Sequence, residues 1–288
     1  MLEKGGGTFA GVKLLLCENP LPPLDEAIVA AEAELPRSNY YTEAHSGPLR
    51  ELISEQLAVP ERLVHINAGS ELILRQIFER LGQQVHLLTP TYSLFPDIAR
   101  RYTETRLMPE ENFRYDLRQL KVPKGTTLAV IVNPNNPNGA TFDTAPVASI
   151  VEQHPDYAVL PEALADDLNK HNDAYPLARA SQAAALATLR NEDKIRERGQ
   201  MLRAWTDQLA GHLQDLGVRV FPTETYFFLA DFAPLHAAEL SAALRNYGIL
   251  IRPLDDPRLG DGYMRVTTAL PEDNVRVITA LRELLSIR

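Results

Sequence analysis

Apolar and polar positions change rhythm several times along this chain, and the changes mark its elements. Helical spacing runs from 25 to 34, and 36–41 reads as extended. From residue 45 short apolar runs alternate with amphipathic stretches. A helix is predicted over 47–57, with Leu49, Leu52, Ile53 and Leu57 on one face, then a strand over 63–67 and a helix over 72–81. A strand at 85–88, a helix at 95–102 and a strand at 105–108 follow, and after a link at 117–121 comes an apolar strand beginning at Leu128. Another short strand is predicted over 157–160. Beyond 175 the stretch 176–216 reads mostly as one long helix, with Leu202, Trp205, Leu209, His212 and Leu213 at helical spacing. Strands at 218–221, 226–230, 249–252 and 262–267, with helices at 237–246 and 272–286, complete an α+β pattern. The order is that of an α/β chain followed by a smaller α+β portion.

Composition narrows the class. At 288 residues the length allows one or two domains, and 45% apolar content supplies a proper core. A formal net charge of -9 argues against nucleic acid and anionic membrane surfaces, which need basic partners. The single cysteine, Cys17, excludes an internal disulfide and any cysteine-rich metal site. The run from Val12 to Cys17, interrupted by Lys13, is too short for a signal peptide or membrane span, so a cytoplasmic location is expected.

The chemistry concentrates where the strand at Leu128 breaks into Asn133-Pro134-Asn135-Asn136-Pro137-Asn138-Gly139. A buried strand ending in polar turn residues places them at its carboxyl edge, where open α/β sheets bind ligands. This run resembles the Asn-Pro-x-Asn-Pro-Thr-Gly signature of fold-type I, pyridoxal-phosphate-dependent aminotransferases, with Asn138 standing where threonine is usual. The branch it is most similar to is that of histidinol-phosphate aminotransferase and threonine-phosphate decarboxylase. Glu18-Asn19-Pro20 resembles the opening of that branch, and the resemblance spans nearly the whole chain.

The resemblance implies a set of ligand-binding residues. Asn136 would meet the phenolic oxygen of the cofactor, and Tyr92, in Pro90-Thr91-Tyr92, would stack on its ring. The turn Ala68-Gly69-Ser70-Glu71, between a strand and a helix amino terminus, would hold phosphate through backbone N–H groups. Arg265 would grip a substrate carboxylate in the bidentate manner suited to a guanidinium, and Arg252 would line the same pocket. Tyr40-Tyr41 stands where relatives place a tyrosine that reaches the neighbouring subunit's site. Read from the residues alone, Tyr92 also fits a strand cap, Tyr41 a domain-edge aromatic, and the two arginines strand-end charges.

Against that frame the sequence lacks two landmarks. The family's Asp-Glu-Ala-Tyr, whose aspartate holds the pyridine nitrogen, aligns with Pro161-Glu162-Ala163-Leu164. The Ser-Lys-x-x-Gly segment with its Schiff-base lysine is missing. The chain passes from Leu164 to Tyr175-Pro176 and rejoins the family pattern at Ser181-Gln182-Ala183-Ala184-Ala185-Leu186. Pyridoxal phosphate works as an electron sink tethered as a lysine imine, so both losses strike at the chemistry. Lys4, Lys13, Lys121, Lys124 and Lys194 lie on other segments, and only Lys170 follows the appropriate strand.

These readings predict a truncated aminotransferase-like α/β fold: an arm over 1–45, a large domain over 46–175 and a small α+β domain over 176–288. The large domain should carry a mainly parallel sheet of about five strands, with 63–67 and 157–160 pairing directly across the excised piece. No covalent cofactor is expected, and non-covalent pyridoxal phosphate is left open. Three functions stay open: a protein binding an amino-acid-like or phosphorylated small molecule, with or without a lysine-independent reaction; a non-catalytic subunit of an active aminotransferase; and a residual pyridoxal enzyme using Lys170 or a partner's lysine. A homodimer, or a heterodimer with a related aminotransferase, is the expected assembly. Glu162, Asp166, Asp167, His171 and Asp173 form an acidic segment that reads as a solvated turn or as acid–base and Mg²⁺ ligands, and Asp167 and His171 share a face if it is helical. The seven histidines show no metal-ligand spacing, so no metal is assigned.

Overall fold

Three segments, β2 (Val85–Thr89), β3 (Tyr102–Arg106) and β4 (Leu128–Val130), build a parallel sheet in the order β3-β2-β4. The computed structural model that shows this describes residues 9–148 and 162–286. All five residues of β2 are buried, which is why its sequence is almost continuously apolar. Edge strand β3 alternates exposed and half-buried positions instead. Val85 stands opposite both Tyr102 and Leu128. His86, buried in β2, meets the hydroxyls of Thr103 and Thr105 at 2.8 and 3.0 Å.

The second sheet has five strands in the order β1-β7-β8-β6-β5. They are β1 (Val12–Leu14), β5 (Arg219–Val220), β6 (Phe227–Asp231), β7 (Ile249–Pro253) and β8 (Tyr263–Thr267). β1 runs parallel to β7, and the other pairs are antiparallel. The helices around the two sheets are α1 (Asp25–Glu34), α2 (Gly47–Leu57), α3 (Ser70–Leu81), α4 (Leu94–Ile98), α5 (Glu162–Lys170), α6 (Arg179–Leu189), α7 (Glu192–Asp215), α8 (Ala237–Arg245) and α9 (Pro271–Ser286). The largest apolar core sits between this sheet and α7, α8 and α9, with Leu213, Phe228, Leu244 and Leu281 fully excluded from water. None of the described helices is long and apolar enough to cross a membrane.

The α/β class expected from the sequence stands, and helices 25–34 and 47–57 begin and end where the pattern placed them. Several boundaries differ. Residues 36–41 are not extended: a tight turn, Leu35–Arg37, carries Pro36 in its first turn, and a second follows in which the Tyr40 N–H donates to the Arg37 carbonyl at 3.0 Å. The strand expected at 105–108 begins three residues earlier, since an edge strand with Thr103, Glu104 and Thr105 carries no apolar run to mark it. The long helix over 176–216 is two, broken at Asn191, whose backbone leaves helical geometry and whose side chain bonds the Ala187 carbonyl at 2.8 Å. His212 is exposed on α7, as a helix-face residue should be.

The largest correction concerns 63–67. This stretch is no strand: a short turn, Glu61–Leu63, leads into extended chain whose Val64 and Ile66 are buried near α2 and α6. Among the described residues the parallel sheet therefore has three strands, and the five-stranded sheet is the mixed one. The strand expected over 157–160, with Pro161, lies outside the described residues, as do Lys4, His154 and the side chains of Glu162 and Asp166. Among the described residues, α5 and the turn after it serve the backbone of 62–66. Asn169 donates its amide to the carbonyls of Arg62 and Val64 at 2.9 and 3.3 Å, and Asn172 to that of Ile66 at 2.8 Å. The Asn169 oxygen accepts from His65 Nδ1 at 2.9 Å. Side-chain amides thus supply hydrogen bonds that a neighbouring strand would have given.

Two expectations follow. Asn169→Ala orphans two backbone carbonyls and a ring N–H, and should cost about 1–3 kcal/mol in urea-unfolding experiments. Burial holds His86 below the ordinary histidine pKa, so the unfolded chain takes up its proton more readily than the folded one. The stabilisation is complete above about pH 6.5 and fades as pH falls. Midpoints measured from pH 8 to pH 5 should drop less for His86→Gln than for the parent.

Candidate functional site

The loop after β4 is held by its own asparagines. Asn133 exchanges two hydrogen bonds with Phe142, donating to its carbonyl at 3.1 Å and accepting from its N–H at 3.0 Å. Buried Asn135 donates its side-chain amide to the Pro90 carbonyl at 2.9 Å, and its backbone bonds Ala140 and Gly139 at 2.8 and 2.7 Å. Asn138, standing where threonine is usual in the resembling family, accepts from the Ala140 N–H at 3.0 Å and so closes a local turn. Gly139 is required twice over: its φ is +70°, and a Cβ there would lie 1.9 Å from Thr223 Oγ1. The Gly139 carbonyl also accepts from the Glu224 N–H at 2.9 Å, fastening the loop to the chain before β6. Asn133 and Asn138 are spent on the loop itself, Asn135 ties it to the end of β2, and Asn136 is directed toward the second sheet.

Asn136 meets Arg265. Arg265 Nη1 on β8 donates to Asn136 Oδ1 at 2.9 Å, and Nη2 donates to the Leu15 carbonyl at 2.9 Å. The guanidinium carbon lies 5.6 Å from the centre of the Phe227 ring. Nε is buried without a hydrogen-bond partner. Arg252 stands directly opposite Arg265 across the β7–β8 ladder, and among the described residues no carboxylate pairs with either. Burial, reinforced by Arg252, pulls the Arg265 pKa below its ordinary value, although arginine still keeps its proton at neutral pH.

The surroundings keep their protons too. Burial pushes the Cys17 thiol upward against the pull of Arg265, and Thr267 Oγ1 donates to its sulfur at 3.5 Å. Tyr226 donates its hydroxyl to the Cys17 carbonyl at 2.7 Å, and burial raises its pKa as well. The result is a cationic recess with hydroxyl and amide donors, suited to a carboxylate or phosphate, with no lysine amine of the described residues bonded into it. Lys13, Lys121, Lys124, Lys170 and Lys194 are all exposed, and none is among the charges acting on Arg265.

Of the candidate residues, the structure brings together Arg265, Arg252, Asn136 and Tyr92. Tyr92 packs edge-on against Phe95 at 5.6 Å, and its phenol lies close enough to act electrostatically on Arg265. The turn Ala68–Glu71 is exposed and partly self-satisfied. Asn67 Oδ1 takes the Ala68 N–H at 2.8 Å, its carbonyl takes the Gly69 N–H at 2.9 Å, and Glu71 pairs with Arg75. No hydrogen bond or ion pair of the described residues joins this turn to Asn136 or Arg265. Tyr41 is 76% exposed and stacks on Tyr175 at 4.3 Å, away from the recess. Sequence reasoning missed Cys17, Tyr226 and Thr267 as neighbours of Arg265; the adjoining Glu18-Asn19-Pro20 was the only signal pointing to that stretch. In the acidic segment Asp167 pairs with Arg80 at 2.6 Å and with His171 at 3.1 Å, and the Arg80 bond holds its carboxyl below the usual range. No group of side chains among the described residues could hold a metal ion.

The fold is that of aminotransferases of known structure. The family model "Aminotransferase class I and II" matches residues 156–280. Histidinol-phosphate aminotransferase of Acinetobacter baumannii (strain SDF) is 25% identical, covering 94% of this chain and 90% of its own. That alignment runs over 329 positions, more than the 288 residues of this chain, so the relative carries residues with no counterpart here. Among solved structures, histidinol-phosphate aminotransferase from Clostridium acetobutylicum superposes with a TM-score of 0.85 at 15% identity, over 96% of this chain and all of the other. L-threonine-O-3-phosphate decarboxylase from Porphyromonas gingivalis superposes at 0.79 with 18% identity, over 96% of this chain and 99% of that one.

Gly139→Ala should destabilise the protein by about 2–4 kcal/mol, because the new methyl meets Thr223 in a backbone conformation that disfavours it. Thermal melts would check this, and an unchanged melting temperature would mean that the loop is free to move.

Proposed function

We propose that this chain is an aminotransferase-like protein that binds an amino-acid-like or phosphorylated anion without a covalent pyridoxal phosphate. The observation that supports the reading is Arg265: a half-buried cation held on Asn136, facing Arg252, with no carboxylate partner among the described residues. Desolvating a guanidinium costs several kcal/mol unless an anion offsets it, and a ligand carboxylate or phosphate is the simplest source. Arg252, Tyr92 and Asn136 complete the recess, while Ala68, Gly69, Ser70 and Glu71 are the place for a second anionic group.

The donor set does not fit the covalent cofactor. An internal aldimine needs an amine within the site, and the described lysines are all on the surface. The acid that would pair a pyridine nitrogen is a proline in the aligned sequence, Pro161. The excess length of the relatives supports the reading that the lysine-bearing piece has been cut out between 164 and 176. No catalytic step is assigned. The same reading divides the chain at 45 and 175 into arm, large and small domains, and takes it to be a cytoplasmic dimer.

A second reading makes the chain the supporting subunit of an active aminotransferase. It draws on Tyr40, Tyr41 and Tyr175, aromatic side chains left exposed where Tyr41 would enter a neighbour's site. Recovery of a full-length aminotransferase with the tagged protein would favour it.

The first reading is tested by incubation with pyridoxal phosphate, borohydride reduction and peptide mass spectrometry. No absorbance near ~420 nm and no pyridoxyl-lysine are expected; a label on Lys170 would overturn the proposal. In calorimetric titrations with O-phospho-L-serine, Arg265→Gln should weaken binding at least about tenfold.

A further inference from the structure

The two arginines of the recess ride on one hairpin, with Arg252 on β7 and Arg265 on β8, and the connection between them folds back over the other sheet. Leu254 and Leu259 of that connection pack against the apolar cluster that includes Leu88 of β2 and Leu107, the residue after β3. At its outermost turn Arg258 is gripped from both sides. Its Nε and Nη2 lie 2.7 and 2.9 Å from the two oxygens of Asp256, in its own turn, and its Nη1 lies 2.7 Å from Glu104 Oε2 on β3. Arg106, two residues along β3, donates to the Arg258 carbonyl. Arg258 is only 20% exposed and Glu104 37%, so this pair is better shielded than an ordinary surface bridge.

Glu104 is not a free arm. The same Oε2 accepts from Thr89 Oγ1 at 3.1 Å, and Thr89 is fully buried at the end of β2. The next residue, Pro90, gives its carbonyl to Asn135 Nδ2, and Asn135 adjoins the Asn136 that holds Arg265. The contacts therefore close a ring: hairpin turn to β3, β3 to the end of β2, β2 to the asparagine loop, and the loop back to the hairpin's own arginine. Fixing one link constrains the others, because each joins short, packed backbone segments.

We propose that Arg258 and Glu104 form a positioning clasp that sets the spacing between the arginine-bearing hairpin and the Asn136 loop, and thereby sets ligand affinity in the recess. Neither residue touches the recess itself. Arg258 is suited to the task, since a planar guanidinium spans two carboxylates at once where a lysine would reach one. The clasp rests on the anion-binding reading for its functional consequence, but not for its structural one.

The experiment compares the full chain with Arg258→Gln, Arg258→Lys, Glu104→Gln and the Arg258→Gln/Glu104→Gln double variant, by calorimetric titration with O-phospho-L-serine and by amide hydrogen exchange of residues 135–140. Each single glutamine variant should weaken binding about five- to tenfold and raise exchange in 135–140 by a similar factor. The double variant should be little worse than either single one, and Arg258→Lys should recover part of the loss. If the parent binds no O-phospho-L-serine, the anion-binding reading fails and the exchange data alone decide the clasp. Unchanged exchange at 135–140 in the single variants, or strictly additive losses in the double variant, would overturn it.

Discussion

A half-buried guanidinium that no carboxylate of the described residues pairs with is the constraint from which the rest of this structure can be understood. Arg265 sits on a strand interior, where desolvation is costly, and two neutral acceptors, Asn136 Oδ1 and the Leu15 carbonyl, absorb part of its charge. Those acceptors come from distant parts of the chain, the loop after β4 and the segment after β1. For both to reach Arg265, the amino-terminal segment must add to β7 and the asparagine loop must be pinned by Pro90, Phe142 and Glu224. The packing around the recess is the apparatus that makes this possible.

The parallel sheet shows how side chains can satisfy the backbone that runs beside it. With three strands among the described residues, it leaves the backbone of 62–66 without a strand partner. Asn169 and Asn172 fill that role from a helix and the turn beyond it, and Arg80 to Asp167 ties the same helix to α3. A side-chain amide is both donor and acceptor, so one asparagine can satisfy two carbonyls and a histidine ring together. Of the acidic segment, Asp167 is spent on fastening this cover, paired with Arg80 and in contact with His171.

The recess also separates fold from activity. A TM-score of 0.85 against an aminotransferase reports that the backbone persists, and the groups that would carry pyridoxal chemistry are a different matter. In the described structure the recess holds cations, phenols and a protonated thiol. Such a set suits an anion, and among the described residues no lysine amine stands beside it.

The sequence by itself determined the α/β class, helices 25–34 and 47–57, the central strand β2 and the pairing of an asparagine loop with two arginines as candidate chemistry. These rest on local periodicity and on residue types, which need no knowledge of neighbours. Only the tertiary structure decided that 63–67 is not a strand, that the tight turn before α3 satisfies its own N–H groups, and that Cys17, Tyr226 and Thr267 surround Arg265. An extended apolar segment looks the same whether a strand or an asparagine-bearing helix lies beside it. The company kept by a half-buried arginine depends on residues some 250 positions away in the chain, and no spacing along the sequence encodes that.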